Sequence, residues 1–198
     1  MFKSIPDIIV IDNFYDNPDS VRQNALTCEY MPVKHDTGFF KFGHAPWPGR
    51  VSVNAYSPKN LDLSISKLLS KQVRQLPIIN SGRFRMSRID DIQNNMVHLD
   101  GCDYAGVLYL NDIANTPGTI FYTHKKTNCM YGSKDLFDEL ILNNEVHDTQ
   151  FWDINFVSNI VYNRLIVYPA NMFHGIGPLF GTTNEDARLV QIFFWETI

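Results

Sequence analysis

The chain has only three cysteines in 198 residues, Cys28, Cys102 and Cys129, odd in number and widely spaced. That pattern argues against a disulfide framework and against a cysteine-built zinc site, and it suits a reducing cytosol. Long apolar runs are missing as well. Nothing approaches the about 18 consecutive apolar residues of a membrane span. Residues 1–13 are too short for a signal peptide and carry Asp7 and Asp12 within their apolar stretch. A cytoplasmic location with no membrane contact is expected. The formal charge is only −4 and no run of like charge stands out, so nucleic acid is not expected as a partner. Arg83, Arg85 and Arg88 nevertheless cluster closely enough to form a local basic groove. There is no internal repeat, low-complexity tract or clear linker.

What is present is apolar material sufficient for a core, 44% of the residues, over a length that fits one domain. The β-branched stretch at 8–11 reads as a buried strand. Asn17 as N-cap and Pro18 at the first helical position start a helix running to about Tyr30. Residues 31–56 form a long loop or a set of turns, rich in glycine and proline. Leu61, Ile65, Leu68, Leu69 and Val73 recur on one face and predict a second helix over 61–76. Strands are expected at 83–89, 95–100, 104–110 and 119–123, the last following a Pro117-Gly118 turn. Ser133 caps a third helix, 151–160 is ambiguous, and 165–168, 172–174 and 189–195 close the chain as strands.

Helices first and many short strands afterwards predict a mainly β protein with flanking helices, an α+β double-stranded β-helix: a cupin-like jelly roll. Residues 1–81 would be a helical support region and 82–198 the core, with an insertion over about 124–160. A doubly wound sheet is argued against, because no βαβ rhythm runs through the second half.

Chemistry concentrates in four residues. His98 and Asp100 are two apart at a strand end, so their side chains share one side of the sheet. His174, after the Pro169-Ala170-Asn171 turn, is available as a second imidazole from a distant strand. Two histidines and one carboxylate on one face of an octahedral ion leave the opposite face open, the arrangement that suits non-haem Fe(II) oxygenase chemistry. Arg188 opens the last strand and shares its parity with Val190, Ile192 and Phe194. Its guanidinium should therefore point inward, where a dicarboxylate would neutralise it. Tyr109 could donate its hydroxyl to the same carboxylate. His124, just past the 119–123 strand, and Arg50, beside Trp47, Phe39 and Phe40 in the irregular loop, are candidate substrate contacts. His35, His44 and His147 read as solvent-facing.

The order of these residues, with Leu108-Tyr109-Leu110-Asn111 and Pro117-Gly118-Thr119, resembles the 2-oxoglutarate/Fe(II)-dependent dioxygenase superfamily and its prolyl-4-hydroxylase-like branch. The stretches 104–111, 121–125 and 163–168 also resemble a small group within it found in bacteria and their phages. The resemblance covers about residues 82–196. It implies His98, Asp100 and His174 as iron ligands and Arg188, assisted by Tyr109, as the group binding 2-oxoglutarate. Fe(II), 2-oxoglutarate and O₂ would then hydroxylate a small-molecule or peptidyl substrate, releasing succinate and CO₂. Two features depart from the family pattern: Pro117-Gly118 stands where paired glycines are common, and a 177–186 loop lengthens the gap from His174 to Arg188. A non-catalytic metal-binding or structural jelly roll is the alternative. A cupin-type metal enzyme without a keto acid is disfavoured by the inward arginine.

Overall fold

The computed structural model describes residues 7–32, 48–76, 81–91, 97–113 and 115–198. His35, Phe39, Phe40, His44 and Trp47, with most of the expected 31–56 loop, lie outside the described residues.

In chain order the strands are β1 (Ile9–Ile11), β2 (Tyr30–Pro32), β3 (Arg50–Ser52), β4 (Val73–Gln75), β5 (Arg83–Ser87), β6 (Tyr104–Tyr109), β7 (Pro117–His124), β8 (Trp152–Asn159), β9 (Leu165–Pro169), β10 (His174–Ile176) and β11 (Arg188–Thr197). The helices are α1 (Pro18–Thr27), α2 (Leu61–Leu69) and α3 (Lys134–Leu142). The α1 start is as expected: the Asn17 side chain accepts the Ser20 N–H at 3.1 Å, with Pro18 in the first turn. The same logic starts α3, where Ser133 accepts the Leu136 N–H.

Two helices stop earlier than periodicity predicts. α1 ends at Thr27, and Tyr30–Pro32 becomes β2, paired with β3. α2 ends at Leu69, because Ser70 turns left-handed (φ 53) and the N–H groups of Ser70 and Lys71 return to the carbonyls of Lys67 and Ser66. Val73 then joins β4, pairing with Thr197 on β11. In both places sheet hydrogen bonds outweigh a modest helix propensity, so the region before residue 82 supplies strands β1 to β4 as well as helices.

Two antiparallel sheets result. The larger has the order β1-β9-β6-β11-β5-β3-β2, with β4 also on β11; the smaller is β10-β7-β8. His98 extends the smaller sheet by a bridge to His174. Following the chain from β5, successive strands fall as β5, β6, β9 and β11 in the first sheet and His98, β7, β8 and β10 in the second. That is the double Greek key of a jelly roll, and the fold is mainly β as expected. The ambiguous 151–160 segment is β8, paired along β7.

The larger sheet is buried on both faces. Leu108, Leu165, Leu189, Phe193 and Trp195 pack beneath α1 and α2 against Val21, Ala25, Leu61 and Ile65. Val107, Tyr109, Ile166, Tyr168, Val190 and Ile192 face the interior of the roll, where Phe121 of the smaller sheet meets them. Double burial explains why β6, β9 and β11 read as nearly unbroken apolar runs. Among the described residues no helix is long and apolar enough to cross a membrane.

Candidate metal centre

His98 and His174 are held by backbone pairing. The His98 N–H donates to the His174 carbonyl at 2.8 Å and the His174 N–H to the His98 carbonyl at 3.0 Å. Directly opposed residues point to one face, and here that face is the interior, with the rings 4.1 Å apart. Val97 and Leu99 alternate to the other side and pack with Phe137, Trp152 and Phe173 under α3. Asp100 is fixed by its N–H on the Ala170 carbonyl. One ligand atom from each of His98, Asp100 and His174 lies within 4.8 Å of the others. The closest approach is His174 Nε2 to Asp100 Oδ2, 3.3 Å.

The surroundings orient this set. His174 Nδ1 lies 2.8 Å from the Met172 carbonyl, which can only accept, so Nδ1 carries the proton. Nε2 is then the ring nitrogen turned toward Asp100. Tyr168 packs edge-on against His174, ring centroids 5.0 Å apart. Burial works to raise the Asp100 pKa, but His174, His98 and Arg85 together bring it below the usual carboxylate value, so the group is an anion.

Arg188 points inward, as its parity predicts, and is 4% exposed. Its Nη2 donates to the Gly118 carbonyl at 3.0 Å. Its Nε is buried with no hydrogen-bond partner among the described residues. Burial pulls its pKa down, against the opposing influence of Tyr109 and Tyr168. A buried guanidinium with a vacant donor is costly unless an anion completes it. The donor set and this vacant N–H therefore fit Fe(II) and a dicarboxylate. The pocket they share is lined by His98, Asp100, His174 and Arg188, and further by Arg85, Thr119, Tyr168 and apolar residues of β6, β10 and β11.

The other predicted residues are arranged differently. The Tyr109 hydroxyl donates to Thr119 Oγ1 at 2.9 Å, and Tyr109 itself stands behind the pocket wall. His124 is buried apart from the pocket: Nε2 lies 2.7 Å from Glu145 Oε2 and Nδ1 3.0 Å from Thr127 Oγ1. Arg50 is opposite Met86, whose side chain packs beneath the helices, so it occupies the face of the sheet away from His98, Asp100 and His174. His147 is exposed.

Asn111 has a role that pattern reading missed. Its Nδ2 donates to the Ala187 carbonyl at 2.8 Å and its Oδ1 accepts the Leu189 N–H at 2.7 Å, clamping the backbone on both sides of Arg188. Arg85 is a second inward cation. The signal was available: Phe84 and Met86 are apolar and alternate with Arg83 and Arg85, so the arginines must share the opposite face.

The jelly-roll architecture is similar to that of solved 2-oxoglutarate-Fe(II) oxygenases. A 2OG-Fe(II) oxygenase-family oxidoreductase from Burkholderia pseudomallei is similar over 96% of this chain and 85% of its own, with TM-score 0.54 and 11% identity. A prolyl-4-hydroxylase from Pseudomonas putida aligns over 96% and 92%, with TM-score 0.45 and 13% identity. The Fe(II)/α-ketoglutarate-dependent dioxygenase TqaL aligns over 96% and 83%, with TM-score 0.45 and 11% identity. Of these three, the first exceeds a TM-score of 0.5; at these identities the likeness concerns the fold. No family model matches the chain, and no curated protein matches it in sequence.

Proposed function

We propose that the protein is a 2-oxoglutarate- and Fe(II)-dependent dioxygenase that hydroxylates a small-molecule or peptidyl substrate. The observation that carries this is the convergence of His98, Asp100 and His174 on the pocket that also holds the vacant Nε of buried Arg188. In this reading His98 and His174 supply imidazole nitrogens and Asp100 a carboxylate oxygen to the iron. Arg188 receives the distal carboxylate of 2-oxoglutarate. Asn111 keeps Arg188 in place, and Tyr109 acts at one remove by holding the Thr119 hydroxyl on the pocket wall. When bound, Fe(II), 2-oxoglutarate and O₂ supply oxidative decarboxylation to succinate and CO₂ coupled to hydroxylation of a C–H bond. The chain's own share is to hold one coordination face and to surround it with apolar walls that keep water out.

Anaerobic addition of 2-oxoglutarate to the Fe(II)-loaded protein tests this. A weak metal-to-ligand charge-transfer band in the visible is expected. Iron shown to be bound, with no band and no 2-oxoglutarate affinity, would overturn the reading.

A further inference from the structure

Tyr168 carries a hydroxyl that the packing around it does not require. Its ring lies edge-on against Phe121, centroids 4.9 Å apart, and against His174, 5.0 Å apart. A phenylalanine would make both contacts. The side chain is 2% exposed and lines the pocket together with Asp100 and His174. Its hydroxyl makes no hydrogen bond among the described residues, whereas the Tyr109 hydroxyl is engaged by Thr119. A buried hydroxyl without a partner costs about 1–3 kcal/mol, so an acceptor is expected from whatever fills the pocket.

Register places this donor at one end of the pocket. Tyr168 on β9 is opposite Ala105 on β6, and Ala105 is opposite Phe194 on β11. Arg188 opens the same β11, six positions earlier (194 − 188). Tyr168 therefore stands beside His174 at the end of the pocket away from the start of β11. Burial raises the Tyr168 pKa most, and Asp100 is the next largest influence, which agrees with that placement. On the oxygenase reading, on which this inference rests, Arg188 receives the distal carboxylate of the keto acid and the chelating end lies beside Asp100 and the two histidines. We propose that Tyr168 is a co-substrate-binding residue whose hydroxyl donates to an oxygen at the metal-binding end of 2-oxoglutarate. A phenol is suited to this place, because it offers one directed donor and adds no charge beside the iron ligands. The keto acid is then held at both ends by donors of this chain.

The test compares the full wild-type chain with Tyr168→Phe, both loaded with Mn(II) under argon and titrated calorimetrically. The ligands are 2-oxoglutarate and oxalate, which has a chelating end and no distal carboxylate. Tyr168→Phe should bind both about tenfold more weakly, the size expected of a hydrogen bond to a charged group. Its Mn(II) affinity and its Tm without ligand should not fall, because the ligand-free protein loses no hydrogen bond. A purely structural role would lower that Tm instead. Unchanged 2-oxoglutarate affinity in the variant overturns the proposal. A loss for 2-oxoglutarate with none for oxalate also overturns it, because the hydroxyl would then serve the distal end. So does a main loss in Mn(II) affinity, which would mean that Tyr168 acts on Asp100 or His174. Failure of 2-oxoglutarate to bind the wild-type Mn(II) protein, measured first, overturns the oxygenase reading and this proposal with it; normal wild-type binding that the variant retains in full overturns this proposal alone.

Discussion

His98 and His174, 76 positions apart in sequence by subtraction of their numbers, are direct cross-strand partners that exchange both backbone hydrogen bonds. Their imidazoles share a face only in this register; a slip of one residue would send one ring into the cluster under α3. The candidate metal centre is thus built into the pairing of the smaller sheet.

Metal binding should stabilise the fold. At about one hundred times its dissociation constant, a divalent ion adds about 2.7 kcal/mol. A rise in Tm with Fe(II) or Mn(II), reversed by chelation, is expected in thermal denaturation. His174→Ala should lose both the rise and Fe(II)-dependent succinate formation while remaining folded. Wild-type turnover by that variant would remove His174 from the ligand set.

Arg188→Ala deletes a charge-assisted contact. The 2-oxoglutarate concentration for half-saturation should rise by about ten- to a hundredfold, with metal affinity kept. An unchanged requirement would rule out the role given to Arg188.

Asn111→Ala removes two buried hydrogen bonds beside Arg188. A stability loss of about 1–3 kcal/mol is expected in denaturant unfolding. A raised 2-oxoglutarate requirement with unchanged metal affinity should accompany it, because the clamp acts on Arg188 and not on the metal ligands. A stability loss alone would make Asn111 purely structural.

Gly118 has no room for a side chain: a Cβ there would lie 2.5 Å from Cε1 of the Tyr109 ring. Gly118→Ala should therefore displace Tyr109 and cost about 1–3 kcal/mol through overpacking. Tyr109→Leu in the same chain should recover part of the loss, read as a coupling in a double-mutant cycle. Simple additivity would mean that the two side chains do not meet.

His124 and Glu145 form a buried pair outside the pocket. His124→Leu leaves Glu145 without its buried hydrogen-bond partner, and unfolding measurements should show a loss of about 1–3 kcal/mol. Metal and 2-oxoglutarate affinities of the folded variant should match the wild type. A selective loss of 2-oxoglutarate binding would place His124 at the site after all.

Much of the architecture was legible because local chemistry and tertiary demand coincide. Asn17-Pro18 and Ser133 can do little but start helices, and the apolar runs of β6, β9 and β11 require a sheet covered on both sides. The departures came where edge pairing competed with periodicity. Val73 fits the apolar stripe of a longer α2, yet its backbone gains a partner on β11 once Ser70 turns the chain. The 151–160 stretch was unreadable for a similar reason: exposed, half-buried and buried residues follow one another irregularly along β8, so its pattern is neither a clean alternation nor a buried run.

At the site, sequence alone determined the kinds of candidate ligand and the inward aim of Arg188, since residue chemistry and strand parity are local properties. Only the tertiary structure decided which of six histidines meet Asp100, that His124 is spent on Glu145, that Arg50 lies across the sheet, and that Arg85 joins the pocket. The physical reason is that these outcomes depend on register between strands far apart in the chain. Register is set by the summed hydrogen bonds and burial of whole sheets, to which no short stretch of residues holds the key.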